Sequence, residues 1–267
     1  MTHRSVATTC LAALALVVAL VQPAAAAPYW TPTPGAPWQW QLQGAVDLSI
    51  AGVGAFDVDG FDTSKDTVTA IHARGAGAVC YISAGTFENW RPDAAAFPAS
   101  VKGKNVAGWA GEQWLDIRNW TVLGPIMRSR MQMCKEKGFD AVEPDNVDGY
   151  QNKTGFPLTG AQQITYNRNL ADLAHSLGLA VALKNDVGQL AQLEPYFDFA
   201  INEECARYKE CAGYAVFTKA GKAVWNVEYQ ATKYPAFCSK TFPIFGQASM
   251  LKALSLLATP RTPCLSG

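Results

Sequence analysis

An α/β barrel of eight parallel strands in a single domain is the fold class this sequence predicts, and three observations carry it. From Trp38 onward, short apolar runs alternate with helix-like stretches, the pattern of a parallel sheet built from β–α units. The runs are apolar throughout rather than at every second residue, as strands buried on both faces are. Polar and acidic residues gather just after the runs, and the carboxyl ends of barrel strands are where working side chains sit. The length agrees: without an N-terminal export segment about 240 residues remain, the size of one (β/α)8 barrel.

Taken in order, residues 1–27 read as a secretory signal. His3 and Arg4 make a weakly basic start, Leu11–Val21 an apolar core, and Ala24–Ala27 small-residue cleavage sites. The run is too short and too near the start for a membrane span. No second such run follows, so a secreted, extracellular protein that does not associate with membranes is expected. Cys10 precedes the apolar core, which argues against a lipid anchor. Residues 28–37 are proline-rich and read as an extended lead-in to a barrel at 38–267. Strands are predicted at Trp38–Leu42, Val53–Val58 and Ala78–Ser83, with a helix over Asp66–Arg74 stopped by Gly75. A long loop then carries Trp90, Arg91, Asp93, Trp109, Trp114 and Asp116. The helix over Leu123–Lys137 has Pro125 in its first turn, where proline is tolerated, and Gly138 at its end. Phe139–Glu143 is the fourth strand. In the next helix Thr159 and Gln162 resemble a capping box, and Ile164, Tyr166, Leu170, Leu173, Ala174 and Leu177 keep close to a 3.6 period. Gly178 fits the position just past its end. Strands five to seven are read at Leu179–Leu183, Phe197–Ile201 and Ala223–Val227. The eighth lies between Phe242 and Leu251.

The chain has 22 basic and 22 acidic residues, and loss of Arg4 with the signal leaves 21 against 22, a net charge of −1. Nothing in that balance suggests nucleic-acid binding; the acidic character is local. Seven cysteines less Cys10 leave six, an even number in an exported chain. Cys205 with Cys211 and Cys238 with Cys264 are the natural pairs. Cys80 and Cys134 either pair or stay buried as thiols. A zinc site is the rival reading, but no Cys-x-x-Cys or nearby His accompanies the cysteines.

The chemistry is concentrated in Phe139-Asp-Ala-Val-Glu-Pro-Asp-Asn-Val-Asp-Gly-Tyr150. A strand-type run ends in Glu143, Asp145 and Asp148, carboxylates that repel one another unless something uses their field. Phe197-Asp-Phe-Ala-Ile201 runs likewise into Asn202-Glu203-Glu204. Two strand-end carboxylate sites far apart in sequence are what a two-carboxylate glycosidase needs. His72 and His175 fall on helices away from the strand ends. No Gly-x-Ser-x-Gly elbow or phosphate loop occurs, and the acidic run does not match an EF-hand.

Seven motifs in order resemble one family. They are Ala55-Phe-Asp-Val-Asp-Gly-Phe-Asp62, Cys80-Tyr-Ile-Ser-Ala-Gly85, Glu88-Asn-Trp-Arg-Pro-Asp93, Val142-Glu-Pro-Asp-Asn-Val-Asp-Gly-Tyr150, Lys184-Asn185, Phe197-Asp-Phe-Ala-Ile-Asn-Glu203 and Asn226-Val-Glu-Tyr229. Together, from Trp38 to Cys264, they resemble the barrel domain of the endo-α-1,4-polygalactosaminidases, glycoside hydrolase family 114. The resemblance implies a barrel that cleaves α-1,4-linked galactosamine polymers, with an Asp of the fourth-strand motif and a Glu of the sixth as the catalytic pair. Those positions match Asp145 and Glu203, with Glu204 as the alternative at the second.

A retaining mechanism needs a nucleophile and an acid/base. Glu203 has a carboxylate neighbour in Glu204, which favours a proton on it, so Asp145 is read as nucleophile and Glu203 as acid/base. The plainer reading is that both cap helices or pair with Lys184 and Arg207. Glu143 is expected to point inward to Lys184, and Lys184 to keep Asp145 ionised. The substrate side is read as Asp57, Asp59, Tyr81, Glu88, Glu143, Asp148, Tyr150, Lys184, Asn185, Glu204, Glu228 and Tyr229. Of these Asp57, Asp59, Glu88 and Glu228 would attract a cationic polymer. For Asp57 and Asp59 the competing reading is turn chemistry. Tyr81 and Tyr150, at strand ends, are better placed to stack on sugars than Trp90, Trp109 or Trp114, each of which more often packs. The expected partner is a galactosamine-containing polysaccharide, bound by a monomer without organic cofactor or metal.

Overall fold

The apolar runs become strands because each can bury both faces. The computed structural model describes Met1 and residues 29–264, without the side chains of 240–245. Apart from Met1, the predicted signal lies outside the described residues. In chain order the elements are β1 (Trp38–Gln41), β2 (Ala55–Asp59), α1 (Lys65–Ala73), β3 (Gly77–Ser83), β4 (Thr86–Glu88), β5 (Lys102–Asn105), β6 (Glu112–Leu115), α2 (Trp120–Lys137), β7 (Ala141–Asp145), α3 (Gly160–Ser176) and β8 (Ala180–Lys184). Then come α4 (Leu190–Leu193), β9 (Phe199–Glu203), α5 (Cys205–Tyr208), α6 (Ala215–Lys219), β10 (Val224–Glu228), α7 (Tyr234–Phe245), β11 (Ala248–Leu251) and β12 (Thr262–Pro263). Strands β1, β2, β3, β7, β8, β9, β10 and β11 pair in that order, all in parallel, and β12 adds antiparallel to β11.

Alternation divides these strands between two cores. Trp38, Trp40, Ala55, Val79, Ala141, Ala182, Phe199 and Trp225 fill the lumen. Phe56, Val58, Ile82, Val142, Val181, Leu183 and Val224 face the helices. Closure uses the C-terminal stretch. Trp38 Nε1 donates to Ala248 O at 3.0 Å, Arg261 donates to Trp38 O at 2.8 Å, and Leu42 N donates to Leu256 O at 3.0 Å. The lead-in is packed rather than merely extended: a Cβ on Gly77 would lie 2.0 Å from the Trp30 ring, so that glycine lets Trp30 seal the floor of the lumen.

The helix ends follow the sequence closely. Ser64 caps α1, Thr159 and Gln162 form the capping box of α3, and Gly138 ends α2 with φ of 94°. One position shifts: α2 begins at Trp120, so Pro125 stands beyond the first turn rather than in it. Two readings change more. The long loop after Gly85 contains an antiparallel sheet in the order β4-β6-β5, whose strands are too short, and in β5 too irregular, for a period to show. The eighth barrel strand is confined to Ala248–Leu251, because the apolar stretch before it is α7. At the floor, His72 bonds Asp140 at 2.8 Å and His175 bonds Asp198 at 2.9 Å, placing both histidines opposite the strand ends that matter below. Disulfides join Cys80 to Cys134, Cys205 to Cys211 and Cys238 to Cys264. No helix among the described residues is long and apolar enough to cross a membrane.

Candidate active site

Period-two alternation stacks Glu143 beneath Asp145 on β7, and sets Lys184 on β8 and Glu203 on β9 at the top of the lumen. The β7–β8 ladder runs only through Ala141 and Val142. Pro144, which has no N–H, sits past the point where it stops. Lys184, at the end of β8, is only 1% exposed. Its Nζ lies 3.1 Å from Glu143 Oε1, 3.0 Å from Asp145 Oδ1 and 3.2 Å from Glu203 Oε2, and 4.5 Å from the Trp40 ring centre. Burial pulls the Lys184 pKa down, but Asp145, Glu143 and Glu203 outweigh it and hold it well above the ordinary lysine value. One ammonium thus sits between the two strand-end acids.

Each acid has a second, neutral donor. Tyr81 OH donates to Asp145 Oδ2 at 3.0 Å, and Tyr229 OH donates to Glu203 Oε1. Burial, then the adjoining carboxylate, raises both phenols well above their usual pKa, so they remain donors. Asn185 accepts the Glu203 N–H at 3.0 Å and reaches Glu203 Oε2 at 3.5 Å. The chain leaves β7, β8 and β9 through left-handed residues: Asn146 at φ 62°, Asn185 and Asp186 at 49°, and Glu204 at 59°. Such conformations outside glycine store roughly 1–3 kcal/mol each and cluster at working sites. After β3, Gly85 approaches Asn146 so closely that a Cβ would meet its carbonyl oxygen at 1.7 Å. That approach lets Ala84 N and Gly85 N bond Asp145 O at 2.9 and 3.0 Å, clamping the end of β7.

Above these groups lies a cleft of about 810 Å³. Of the residues singled out in the sequence, Asp145, Glu203, Lys184, Asn185, Tyr81 and Tyr229 line it, as do Asp59, Glu88, Asp148 and Glu204. Four do not. Asp57 is fully buried under the cleft beside Glu143, and among the described residues no group donates to either of its oxygens. Burial, then the Glu143 charge, raises its pKa well above the ordinary aspartate value, which favours its neutral form. Glu143, also fully buried, accepts a hydrogen bond from Trp40 Nε1 at 3.2 Å and faces Lys184 rather than the cleft. Glu228 faces outward on β10 and accepts Ala206 N at 2.8 Å. Tyr150 packs on Gly160 and Gly188 behind the β8 turn.

The expected field of free carboxylates is likewise redistributed. Asp59 is held by Arg91 at 2.9 and 2.7 Å, and Glu88 by the same guanidinium at 2.8 Å, so neither presents an uncompensated charge. Glu204 pairs with Arg207 at 2.7 Å, which removes the argument that its charge acts on Glu203. Among the described residues the cleft carboxylates without such partners are Asp62, Glu112, Asp148, Asp186 and Glu210, and burial shifts three of them. Burial, then Asp145, pushes Asp148 up to about 6; burial, then Asp148, pushes Asp186 up to about 7. Burial also pushes Glu112 up to about 7. Glu112 went unnoticed in the sequence because it opens a short strand inside what reads as loop. Asn146 and Trp40, also in the cleft wall, were visible only as parts of a motif and a strand.

The family model of glycoside hydrolase family GH114 matches residues 19–259. The chain belongs to this family. GH114 membership makes it a glycoside hydrolase acting on O-glycosyl bonds, on a barrel with its carboxylates at the strand ends. The chain is similar to Ega3 of Aspergillus fumigatus, whose structure was determined in complex with galactosamine: 33% identity, a TM-score of 0.82, and coverage of 88% of this chain and 98% of that one. The glycoside hydrolase domain of PelA from Pseudomonas aeruginosa shares the fold at 12% identity and a TM-score of 0.66, covering 85% of this chain and 97% of the domain. Comparison with curated proteins gives no match.

Proposed function

We propose that this GH114 chain is an exported, endo-acting hydrolase of α-1,4-linked galactosamine polymers that works by double displacement. Asp145 is the nucleophile and Glu203 the acid/base. The observation that carries the reading is the single buried ammonium of Lys184 between the two carboxylates, at 3.0 and 3.2 Å. The two oxygens it touches are therefore at most about 6 Å apart, which favours the roughly 5–5.5 Å spacing of retaining pairs over the roughly 6.5–9.5 Å of inverting ones.

In the first step an Asp145 oxygen attacks C1 from the face opposite the leaving sugar. Glu203 gives its proton to the glycosidic oxygen, the C1–O bond breaks, and a β-linked glycosyl ester forms. Glu203, now a carboxylate, takes a proton from water; the water attacks C1, the ester breaks, and the α configuration returns. Lys184 and Tyr81 stabilise charge on Asp145 before attack and after release. Glu203 is the more exposed of the pair, 28% against 18%, which suits a group that exchanges protons with water.

The galactosamine assignment is supported by the similarity to Ega3, bound to galactosamine. A cleft wide enough for several sugars fits internal cleavage. Three disulfides suit an oxidising compartment and, with the N-terminal apolar segment, support export.

The deciding experiment follows products from partly deacetylated α-1,4-galactosaminogalactan by mass spectrometry. Galactosamine-rich oligomers are expected from wild type and none from Asp145→Asn. On an oligomer with an activated aryl leaving group, Glu203→Gln should still release the aryl alcohol while Asp145→Asn should not. Equal loss in both variants would remove the division of roles.

A further inference from the structure

The side chain of Glu228, from the motif Asn226-Val-Glu-Tyr229, does not line the cleft. It is fully buried on the outer face of β10, where that strand meets α5. Its Oε1 accepts Ala206 N at 2.8 Å and Asn226 Nδ2 at 3.2 Å, and the same Nδ2 lies 3.2 Å from Ser249 Oγ on β11. Burial raises the Glu228 pKa above the ordinary glutamate value, while the bonds from Ala206 and Asn226 oppose the rise. Burying an acid costs free energy. The helix it caps, α5, has only four residues and is already closed by the Cys205–Cys211 disulfide, so capping alone returns little of that cost.

What the tie holds is the chain just past Glu203. Glu203 closes β9, and the backbone leaves through Glu204 at φ 59°. A left-handed turn at a residue other than glycine costs roughly 1–3 kcal/mol and persists only where its surroundings hold it. The end of β10 grips this one at three successive residues. Val227 O accepts Glu204 N at 2.6 Å, Glu228 Oε1 accepts Ala206 N at 2.8 Å, and Tyr229 OH donates to the Glu203 carboxylate. The first grip is backbone, and the third touches the acid itself. The second comes from the far face of the strand, out of reach of any substrate. On the solvent side the turn is met only by the Arg207–Glu204 pair, whose guanidinium is 44% exposed and so holds it weakly.

Resting on the reading of Glu203 as acid/base above, we propose that Glu228 is a positioning residue for that acid: by holding Ala206 it fixes the turn after β9, and with it the direction in which Glu203 presents its carboxyl. An acid must come within about 2.6–3.2 Å of the oxygen it protonates. A displacement of about 1 Å costs on the order of a hundredfold in rate. Lys184 and Tyr229 bind the Glu203 carboxylate from the sides, but the backbone that carries it is set by the turn. Glu228 moves no proton of the reaction. Its bonds to Ala206 and Asn226 both use Oε1, an oxygen that glutamine also has, so the role needs an acceptor at this place rather than a charge.

The test measures kcat and KM of Glu228→Met and Glu228→Gln on α-1,4-galactosamine oligomers and, beside them, first-turnover release of the aryl alcohol from an oligomer with an activated aryl leaving group. Methionine keeps the volume and removes the acceptor; glutamine restores it. Glu228→Met is expected to lose about a hundredfold in kcat on the unactivated oligomer, with KM little changed because the residue lies outside the cleft. It should release the aryl alcohol at nearly the wild-type rate, since that leaving group departs without a proton. Glu228→Gln should match wild type on both substrates. Equal losses of Glu228→Met on the two substrates would mean a general distortion of the site and overturn the proposal. Wild-type turnover by Glu228→Met, or a Glu228→Gln as impaired as Glu228→Met, would do the same. A Glu228→Met protein that does not fold would make the residue a support of the fold and overturn it as well. Glu203→Gln is the control. If it gains nothing from the activated leaving group, Glu203 is not the acid, and the reading beneath the inference is what fails.

Discussion

Lys184 is the side chain on which the site depends. It is a buried cation that answers Glu143, Asp145 and Glu203 at once, while burial beside Glu143 favours the neutral form of Asp57 in the layer beneath. Replacing it by methionine keeps the volume and removes the charge, leaving three carboxylates to repel one another. We expect Lys184→Met to lose about 3–5 kcal/mol of stability by denaturant titration and at least about a hundredfold in kcat. Near-wild-type turnover would show that the ammonium is not needed to hold the acids. Lys184, Asp145 and Glu203 were readable from sequence because each ends an apolar strand. Glu112 was not, since its neighbours Thr86 and Asn146 come from other segments and no local pattern announces them. Asp57 reads like Asp59, two residues on and on the same strand face, yet only the depth of each in the lumen separates a fully buried acid beside Glu143 from an Arg91 partner.

At the scale of elements, the antiparallel excursion of β4, β5 and β6 is what turns a barrel mouth into a cleft. It carries Trp90 and Trp109, 51% and 49% exposed in the wall, where large apolar rings persist if a sugar face stacks on them. Trp109→Ala is expected to lower kcat/KM on long oligomers by about tenfold, a stacking contribution of about 1 kcal/mol or more, and to leave the shortest cleavable oligomer nearly unaffected. Equal effects on all lengths would place the ring in packing. Beneath the excursion, Cys80 on the outer face of β3 is bonded to Cys134 of α2, 54 residues away. Replacing both by alanine should cost about 2–5 kcal/mol in chemical unfolding, with KM unchanged because the bond faces the helices. The barrel strands and long helices were legible from apolar runs and caps. The excursion was not, because strands of three or four residues carry too few positions to show a period.

For the whole molecule, the buried acids give stability a definite dependence on pH. Asp148 titrates near 6 and Asp186 and Glu112 near 7 in the fold, against about 4 in the unfolded chain. Between those values the native state holds more protons than the unfolded one. This contribution is therefore complete below about pH 4 and is lost as pH rises through about 7. Thermal melting should give a Tm roughly 5 °C or more lower at pH 8 than at pH 5; a Tm that rises over this interval would contradict the burial of these groups. The sequence by itself determined the barrel, the order of its parallel strands with three of the helices between them, and the two strand ends that carry the acids. Apolar runs, caps and strand-end charges are local, and neighbouring residues suffice to express them. Only the tertiary structure decided which carboxylates are free. Charge state depends on what stands across the lumen or the cleft, and Arg91, Lys184 and Arg207 reach their partners through space. It also decided how the barrel closes, because Trp30 and the stretch from Leu256 to Arg261 find their places against strands that must already be assembled.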